Sequence, residues 1–293
     1  MQKDKYIIVT GGNRGIGFEA VRGLMAEGAH VVMASRDQKT CQAAAEKLRE
    51  QGLTGSCDCK PLDLEDFASV RAFAASQEKE LKARRQALAV LINNGGVMGL
   101  DNAAPSEGDG GLQDRHMRIN HLGGFLLSNL LRPSMQPGSR IVNLSSRAHY
   151  GGSLKWGEDG QLMQHPTWWF PQYCRSKLAN TVSTAEMQRR WAKPYGIIAT
   201  SVSPGLVQTN IFSSMPWGMS YLSQPFLRFF ARSPAQGAET VIHAAIAPEY
   251  NDPEKVPLFL HDCKPMTPLA ASHDEKNGKL LWDWSEKMVG LSK

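Results

Sequence analysis

The chain has 293 residues, of which 42% are hydrophobic and 21% are charged, and this composition excludes a disordered protein. The formal charge of +5 is spread along the sequence without a long Lys/Arg block, so we predict no nucleic-acid partner. The sequence contains no apolar run of about 18 residues and leaves no room for a signal peptide before its first strand, so we expect a cytoplasmic protein without a transmembrane anchor.

Short apolar runs alternate along the chain with longer segments of helical spacing. The runs are continuous rather than alternating, as expected for strands whose two faces are both covered. The predicted strands span residues 6–10, 30–34, 87–92, 139–144, 196–202 and 256–260, with a further β region that ends at Asp63-Leu64. The predicted helices span residues 15–27, 38–51, 66–82, 113–131 and 172–191. This alternation predicts one α/β domain over residues 1–293, a doubly wound parallel sheet with helices on both faces.

A glycine-rich turn, Thr10-Gly-Gly-Asn-Arg-Gly-Ile-Gly17, follows the first predicted strand and opens the first predicted helix. Glycines allow backbone amides to approach a pyrophosphate, which then lies at the N-terminus of the helix. The spacing is Gly-x3-Gly-x-Gly rather than the commoner Gly-x-Gly-x-x-Gly, so the motif alone would also fit a plain tight turn. Its position at the first strand–helix junction favours a dinucleotide site.

The end of the second strand bears on the choice between NADP and NAD. Ser35 is followed by Arg36, whose guanidinium favours a ribose 2′-phosphate, and Arg14 of the glycine-rich turn could share that phosphate. We therefore predict NADP(H). Asp37 keeps NAD as the alternative, because a carboxylate there could bind the ribose hydroxyl. Asp63 could accept a hydrogen bond from the adenine amino group or cap the helix that follows it.

Tyr173 and Lys177 lie four residues apart, with Ser176 between them, early in one predicted helix. Positions i and i+4 share a helix face, and a nearby cation lowers the pKa of a phenol from about 10 towards neutrality. Tyr173 could then act as a general acid in reduction or a general base in oxidation. Such a pair is common by chance, so its specificity depends on the rest of the sequence.

The five cysteines predict neither a disulfide framework nor a metal centre. Cys57 and Cys59 are separated by one residue, which is not the usual spacing of zinc ligands, and no nearby pair of histidines completes a site. We therefore expect reduced thiols and no metal. The histidines without motif spacing are interpreted as structural or surface residues: His116, His121, His149 and His165.

Seven sequence motifs, spread over almost the whole chain, occur in the same order as in a known protein family. They are the glycine-rich turn, Leu62-Asp-Leu64, Val90-Leu-Ile-Asn-Asn-Gly-Gly-Val97-Met98, Ile119-Asn-His-Leu-Gly123, Arg140-Ile-Val-Asn-Leu-Ser-Ser146, Tyr173-Cys-Arg-Ser-Lys-Leu-Ala-Asn180 and Ser203-Pro-Gly205. On these strings the chain resembles the short-chain dehydrogenase/reductase superfamily, and within it the retinol dehydrogenase group, which also contains WW-domain oxidoreductase-like proteins. The resemblance implies a Rossmann-type fold. It also implies a cofactor half over about residues 1–145 and a catalytic and substrate half over about residues 146–293.

The resemblance assigns a catalytic set. Ser146 would hydrogen-bond the substrate carbonyl, Tyr173 would pass the proton, Lys177 would lower the Tyr173 pKa and hold the nicotinamide ribose, and Asn120 would hold a water of a proton relay. The cofactor-binding residues that the motifs imply are Gly11, Asn13, Arg14, Gly15, Ile16, Gly17, Arg36, Asp63, Leu64, Asn94, Tyr173, Lys177, Pro204, Gly205, Val207 and Thr209. The chain departs from the family in Gly95, where alanine is common, and in Gly124.

Two variable stretches bear on the substrate, and the first, between Ser146 and Tyr173, contains Trp156, Trp168, Trp169 and Phe170. The second, over residues 211–230, closes over the substrate in the superfamily that the chain resembles; it is rich in aromatic residues and methionine and would favour a bulky apolar ligand. The alternatives are a packed helical hairpin, a dimer contact or shallow docking to a membrane. The resemblance implies pairing of two subunits through the helices that hold Asn120 and Tyr173. We expect an NADP(H)-dependent reductase of retinal-, steroid- or quinone-like carbonyls. The alternatives are a cofactor-binding regulatory or scaffold protein and a light-driven C=C reductase of the protochlorophyllide type.

Overall fold

The computed structural model describes residues 3–100, 114–163, 168–207 and 232–291. Its strands are β1 Tyr6–Thr10, β2 His30–Ser35, β3 Ser56–Pro61, β4 Leu88–Asn93, β5 Arg140–Leu144, β6 Ile198–Ser203, β7 Phe259–His261 and β8 Lys264–Pro265. Its helices are α1 Gly15–Ala26, α2 Gln38–Arg49, α3 Phe67–Arg84, α4 Gly123–Leu131, α5 Trp169–Tyr195, α6 Pro234–Ile246 and α7 Glu275–Met288. His165, Thr209 and the stretch 211–230, which the sequence analysis singled out, lie outside the described residues.

The strands form one sheet in the order β3-β2-β1-β4-β5-β6-β7-β8. Every neighbouring pair from β3 to β7 is parallel, and only β8 at the edge is antiparallel to its neighbour. The order reverses at β1, which pairs with both β2 and β4, and ligands of open parallel sheets bind at such a switch point. The predicted doubly wound parallel sheet is confirmed.

Apolar layers cover both faces of the sheet, because successive side chains of a strand point to opposite faces. In β1, Ile7 and Val9 pack into the layer formed with α1, α2 and α6, whereas Tyr6 and Ile8 pack into the layer formed with α3, α4 and α5. Trp282 of α7 joins that second layer through an edge contact with Trp191 of α5. All five residues of β1 are buried, which explains the continuous apolar runs in the sequence.

The third β region was predicted to end at Asp63-Leu64, whereas its strand ends at Pro61. The strand β3 has the sequence Ser-Cys-Asp-Cys-Lys-Pro and lies at the sheet edge, where only Cys57 is buried, so it shows no apolar run. The predicted helix at residues 113–131 begins with a π-helical segment, Met117–Leu122, before α4. The helix α6, which was not predicted, begins with a capping box between Ser233 and Gln236.

Cys41 of α2 and Cys59 of β3 are joined by a disulfide, with their Cα atoms 6.0 Å apart. The expectation of reduced thiols is therefore wrong for this pair. The separation of 18 positions between the two cysteines gave no signal, because the pairing depends on α2 packing back onto the neighbouring edge strand. Cys57, Cys174 and Cys263 are free.

Among the described helices, none combines the length and the apolar character that crossing a membrane would need.

Candidate functional site

The glycine-rich turn lies at the carboxyl end of β1 and is shaped by two positive φ angles, +64° at Gly11 and +55° at Gly15. A Cβ at Gly17 would lie 2.3 Å from the carbonyl oxygen of Gly11, so the turn folds back on itself and only glycine fits there. Asn13 donates from Nδ2 to Thr40 Oγ1 at 2.9 Å and so fastens the turn to α2.

The first turn of α1 fits a dinucleotide phosphate. Its N-cap, Arg14, has extended backbone and makes no side-chain capping bond, whereas α2 and α3 are capped by Asp37 and Asp66. The first amides of a helix lack internal partners and favour an anion, and they are not satisfied here by a capping side chain. Ile16 lies beside Gly237 of α6 in the wall of the turn.

Asn94 braces the turn from the neighbouring strand. Its Nδ2 donates to the carbonyl oxygens of Thr10 and Gly11 at 2.8 and 3.2 Å. Thr10 in turn accepts on Oγ1 from the backbone N–H of Gly95 at 2.8 Å. The sequence assigned Asn94 a contact with the cofactor; the structure gives it this bracing position.

Arg36 follows β2 and is open to solvent, with 71% of its side chain exposed and a guanidinium nitrogen 3.9 Å from Asp63 Oδ2. Asp37 is the N-cap of α2 and accepts from the Thr40 N–H at 3.1 Å. Asp63 accepts from the Glu65 N–H, and Asp66 rather than Asp63 caps α3. The helix-cap alternative for Asp63 is therefore wrong, because the N-cap of α3 is Asp66, three residues after it.

Glycines allow close approach around Leu64, in the loop after β3. A Cβ at Gly95 would lie 2.8 Å from Leu64 Cδ1, and one at Gly123 would lie 2.4 Å from the Leu64 carbonyl oxygen. The absence of the alanine that is common at position 95 therefore matches close packing. At Gly124 a Cβ would lie 3.3 Å from Asn93 Cγ, which is also tight.

The loop after β6 lies on the other side of the glycine-rich turn. Pro204 is buried, and Gly205 has a φ of +84°. Val207 forms a parallel bridge with Arg232 and also lies beside Gly237 of α6, the glycine that contacts Ile16. Thr209 lies beyond the described part of the chain.

The serine, tyrosine and lysine come together at the carboxyl end of β5. Ser146 follows β5 and accepts from the Ala148 N–H at 3.1 Å, and its side chain hydrogen-bonds Tyr173 of α5. Ser145, which the sequence analysis left without a role, donates to the Lys177 carbonyl oxygen at 2.8 Å and so fixes α5 against β5. The close packing of α5 on the end of β5 positions the side chains of Ser146 and Tyr173 next to each other.

Burial raises the pKa of Tyr173 to about 12, and the hydrogen bond with Ser146 acts in the opposite direction. The predicted shift towards neutrality is therefore wrong for this structure. The hydroxyl is removed from water, and the Lys177 ammonium, 5.6 Å from the centre of the phenol ring, hydrogen-bonds elsewhere. Tyr173 thus keeps its proton throughout the neutral pH range.

Lys177 donates from Nζ to the Leu144 carbonyl oxygen at 3.0 Å, the bond that ties it to the end of β5. The residue is 5% exposed, and burial lowers its pKa to about 8. A Cβ at Gly96 would lie 3.5 Å from Lys177 Nζ and 3.1 Å from Asn120 Oδ1. Because Gly95 lies against Gly11, the segment Gly95-Gly96 links the glycine-rich turn directly to Asn120 and Lys177.

Asn120 lies in the π-helical segment before α4, with its side chain fully engaged. Its Oδ1 accepts from the Val97 N–H at 2.7 Å, and its Nδ2 donates to the Val97 carbonyl and to Ser176 Oγ at 2.9 and 3.0 Å. Ser176 Oγ then donates to the Tyr173 carbonyl at 2.7 Å. Asn120 therefore connects the loop after β4 to the first turns of α5.

A buried ion pair next to Tyr173 was missed by the sequence analysis. Arg175 is 2% exposed and donates to Asp114 Oδ2 at 2.5 Å and to the Met163 carbonyl at 2.7 Å. Asp114 also caps the backbone N–H groups of His116 and Met117. The ring of His116 meets that of Tyr173 edge-on, with centroids 6.4 Å apart. Nothing in the spacing of residues 114 and 175 indicated a pair.

Of the histidines without motif spacing, His116, His121 and His149 lie in the described chain, and all three are buried. His149 contacts the Ser146 carbonyl at 2.7 Å, and burial lowers its pKa. His121, next to Asn120, lies between Asn180 and Ser285 of α7, at 3.3 and 2.9 Å. The interpretation of these residues as structural agrees with their positions.

The wall beside the Tyr173 ring is apolar. Met98 and Trp169 pack with Tyr173 in one cluster, and Trp168 and Phe170 are exposed at the start of α5. Trp168, Trp169 and Phe170 belong to the variable stretch between Ser146 and Tyr173.

A cavity of about 10 Å³ lies between β4, β5, the π-helical segment and α5. The residues that line it are Asn93, Asn120, His121, Gly124, Phe125, Asn143, Asn180, Ser183 and Met187. Two atoms of lining residues, Asn93 Oδ1 and Ser183 Oγ, are buried without a hydrogen-bond partner. Asn93 cannot turn its amide round without loss, because its Nδ2 donates to Ser128 and Asn143.

We expect one ordered water in this cavity, bonded to Asn93 Oδ1 and Ser183 Oγ, because the volume and the two open partners suffice for a single molecule. A high-resolution crystal structure checks this expectation, with Ser183→Ala as the variant that removes one partner and lowers the occupancy of the water. Well-resolved density with no peak between the two atoms would contradict it.

The sequence of this chain is similar to those of known dehydrogenases. The family model for short chain dehydrogenase matches residues 5–217. Polyprenol dehydrogenase from Danio rerio is 33% identical over 298 residues, covering 99% of this chain and 88% of that protein. Retinol dehydrogenase 11 from Homo sapiens is 34% identical over 297 residues, covering 98% of this chain and 86% of that protein.

A solved structure shares the architecture. An uncharacterized protein from Mycobacterium paratuberculosis superposes with a TM-score of 0.72 at 27% identity, covering 99% of this chain and 94% of that chain. The similarity therefore extends over nearly the full length of the chain and is not limited to the glycine-rich turn.

Proposed function

The chain belongs to the short chain dehydrogenase family of nicotinamide-dependent oxidoreductases, and we propose that it interconverts a carbonyl and an alcohol on a bulky apolar substrate. The observation that carries this proposal is the buried Tyr173 hydroxyl in hydrogen-bond contact with Ser146, one helical turn from Lys177. The segment Gly95-Gly96 places this set beside the glycine-rich turn.

The proton chemistry follows from the state of the phenol. With a pKa of about 12, Tyr173 is protonated at neutral pH and can donate its proton to a substrate oxygen. The Ser146 hydroxyl can hydrogen-bond the same oxygen and stabilise the negative charge that develops on it. The buried ammonium of Lys177 adds positive charge beside the phenol ring. A protonated acid at rest favours the direction of reduction.

The hydride would come from a bound nicotinamide. The residues that would hold the cofactor are the glycine-rich turn, the uncapped first turn of α1 and the loop Pro204-Gly205 at the carboxyl edge of the sheet. Each of these backbone segments has the close approach or the positive φ that such binding requires.

Arg36 supports NADP(H) over NAD(H). Its guanidinium is exposed at the carboxyl end of β2, whereas the carboxylate of the alternative residue, Asp37, is engaged in capping α2. A guanidinium favours a 2′-phosphate, and a carboxylate repels one.

Replacing Arg36 by Ala is expected to raise the KM for NADPH about 10-fold and leave the KM for NADH almost unchanged, because one charge-assisted bond to phosphate is lost. The two KM values from initial rates measure the effect. Arg22→Ala, an exposed arginine of α1 paired with Glu19, is the matched control and should leave both unchanged. An unaltered ratio of the two KM values would contradict the proposal for Arg36.

Two observations support the proposed substrate class: the apolar side chains next to Tyr173 and the names of the related proteins. Met98 and Trp169 give the Tyr173 pocket an apolar side, and the relatives are named for polyprenol and retinol, two apolar alcohols. Retinal-, steroid- and quinone-like carbonyls are therefore the proposed substrates. Their low solubility in water would also suit brief contact of the exposed Trp168 and Phe170 with a membrane surface.

Consumption of NADPH with a panel of such carbonyls tests the proposal. Turnover of at least one member, absent from Tyr173→Phe, supports it. Cofactor binding without turnover of any member would instead favour the regulatory or scaffold protein. We further propose a cytoplasmic location and pairing of two subunits. The disulfide between Cys41 and Cys59 is unusual for a reducing compartment, so a pair that is recovered as a disulfide from cell extracts would contradict the cytoplasmic location.

A further inference from the structure

One backbone carbonyl holds the ammonium of the catalytic set and is shared with a second donor. The Leu144 oxygen accepts from Lys177 Nζ and from Asn180 Nδ2, each at 3.0 Å. Lys177 and Asn180 are three residues apart on α5 and both are more than nine-tenths buried. Because the two donors carry positive charge to the same oxygen, each weakens the bond that the other makes.

Asn180 is itself held by His121. A carbonyl can only accept, so Asn180 Nδ2 faces Leu144 and its Oδ1 faces His121 Nδ1 at 3.3 Å. His121 is buried, and burial lowers its pKa to about 4, so the imidazole is neutral and has one N–H. Only an Nδ1–H satisfies the Asn180 oxygen, and the acceptors around the ring therefore fix its tautomer.

The other ring nitrogen reaches the C-terminal helix. His121 Nε2 lies 2.9 Å from Ser285 Oγ, and Ser285 of α7 is fully buried. With the proton on Nδ1, Nε2 accepts from the Ser285 hydroxyl. The Leu281 carbonyl, 2.7 Å from the same oxygen, competes for that hydroxyl proton. A chain of three donors thus runs from α7 through His121 and Asn180 to the carbonyl that holds Lys177.

We propose that His121 and Asn180 are positioning residues for the reaction: by occupying the Leu144 carbonyl they loosen its hold on the Lys177 ammonium and leave that ammonium available to the active site. Because Ser285 hydrogen-bonds His121, the orientation of the His121 ring depends on the packing of α7. The inference rests on the proposed function, because the Lys177 ammonium matters to catalysis only if the protein is an oxidoreductase that uses Tyr173. Neither residue contacts the Tyr173–Ser146 pair, so the effect passes through Lys177.

The central experiment compares His121→Leu with His121→Asn. The first removes the donor to Asn180, and the second keeps an amide N–H near the position of Nδ1. His121→Leu is expected to lower kcat for NADPH-dependent carbonyl reduction about 10-fold with KM values nearly unchanged, and His121→Asn to keep most of kcat. Because both residues act on one bond, His121→Leu combined with Asn180→Leu should be no slower than Asn180→Leu alone. His243→Leu, in α6 on the other face of the sheet, is the control for the loss of a histidine away from the site.

A second measurement does not depend on turnover. In protein labelled with ¹⁵N-lysine, NMR at a pH below 8 reports how fast the Lys177 ammonium exchanges its protons with water. Exchange should slow several-fold in His121→Leu, because the carbonyl then serves Lys177 alone, and should be restored in His121→Asn. Wild-type protein without activity on any carbonyl would overturn the proposed function. Equal exchange rates in wild type and His121→Leu, an unchanged kcat, or multiplicative effects of the two substitutions would overturn the positioning role.

Discussion

Replacing Tyr173 by Phe is expected to lower kcat for carbonyl reduction about 10³-fold, which is the typical contribution of a positioned general acid. The substitution removes a single oxygen from a side chain that is 8% exposed, and it leaves the ring packed against Met98 and Trp169. The measurement is NADPH consumption at saturating substrate. Affinity for NADPH, from quenching of protein fluorescence, should change less than about 2-fold, because the phenol oxygen is lost at the reacting end only.

Ser146→Ala is the companion variant, since Ser146 shares the hydrogen bond with Tyr173 but would hydrogen-bond the substrate oxygen rather than protonate it. It should lower kcat about 10²-fold, as expected when one donor to a developing oxyanion is removed. Turnover by Tyr173→Phe at the wild-type rate would show that the proton comes from another group. Loss of NADPH binding in the same variant would mean that the effect on rate is indirect.

Replacing Arg175 by Met is expected to lower the free energy of unfolding by about 3–5 kcal/mol, the usual cost of removing one partner of a buried ion pair. Asp114 would keep a buried charge at 5% exposure without its cation, and Arg175 also holds the Met163 carbonyl. Urea unfolding followed by circular dichroism measures the loss. Arg22→Ala, at an exposed pair with Glu19, should cost less than about 0.5 kcal/mol.

The pH dependence of that loss identifies its electrostatic part. In the wild type, burial raises the Asp114 pKa, but the interactions with His116 and Arg175 outweigh it and lower the pKa below 3.8. The pair therefore stabilises the protein above pH 3.8, and its contribution is lost as the pH falls through the lowered folded-state pKa. In Arg175→Met, the Asp114 pKa should be higher than in the wild type, because one of the groups that lower it is gone, so the stability deficit should be largest at neutral pH and shrink towards pH 4. A deficit that is independent of pH would assign the loss to packing.

The site could be predicted from the sequence wherever a motif carried its own local geometry. The turn from Gly11 to Gly17 was predicted because two positive φ angles and one close backbone contact demand glycine at fixed spacings. The residues Tyr173 and Lys177 were found because their spacing puts both on one face of α5. The Asp114–Arg175 pair and the chain through His121 had no such signal, because their members are 61 and 59 residues apart and meet only in the packed fold.

The sequence by itself determined the parallel sheet, the glycine-rich turn and the shared helix face of Tyr173 and Lys177, because hydrophobic period and motif spacing are local properties of a chain. Ser146 was indicated by the resemblance to the family. Only the tertiary structure decided the pKa values of Tyr173 and Lys177. Burial raises the pKa of Tyr173, and Lys177 hydrogen-bonds the Leu144 carbonyl. The sequence suggested instead that Lys177 lowers the pKa of this phenol. The same holds for Cys41 and Cys59, which pair because α2 folds back onto β3. The pKa values, the disulfide and the hydrogen-bond chains depend on which distant residues exclude water and supply partners, and that is a property of the packed molecule.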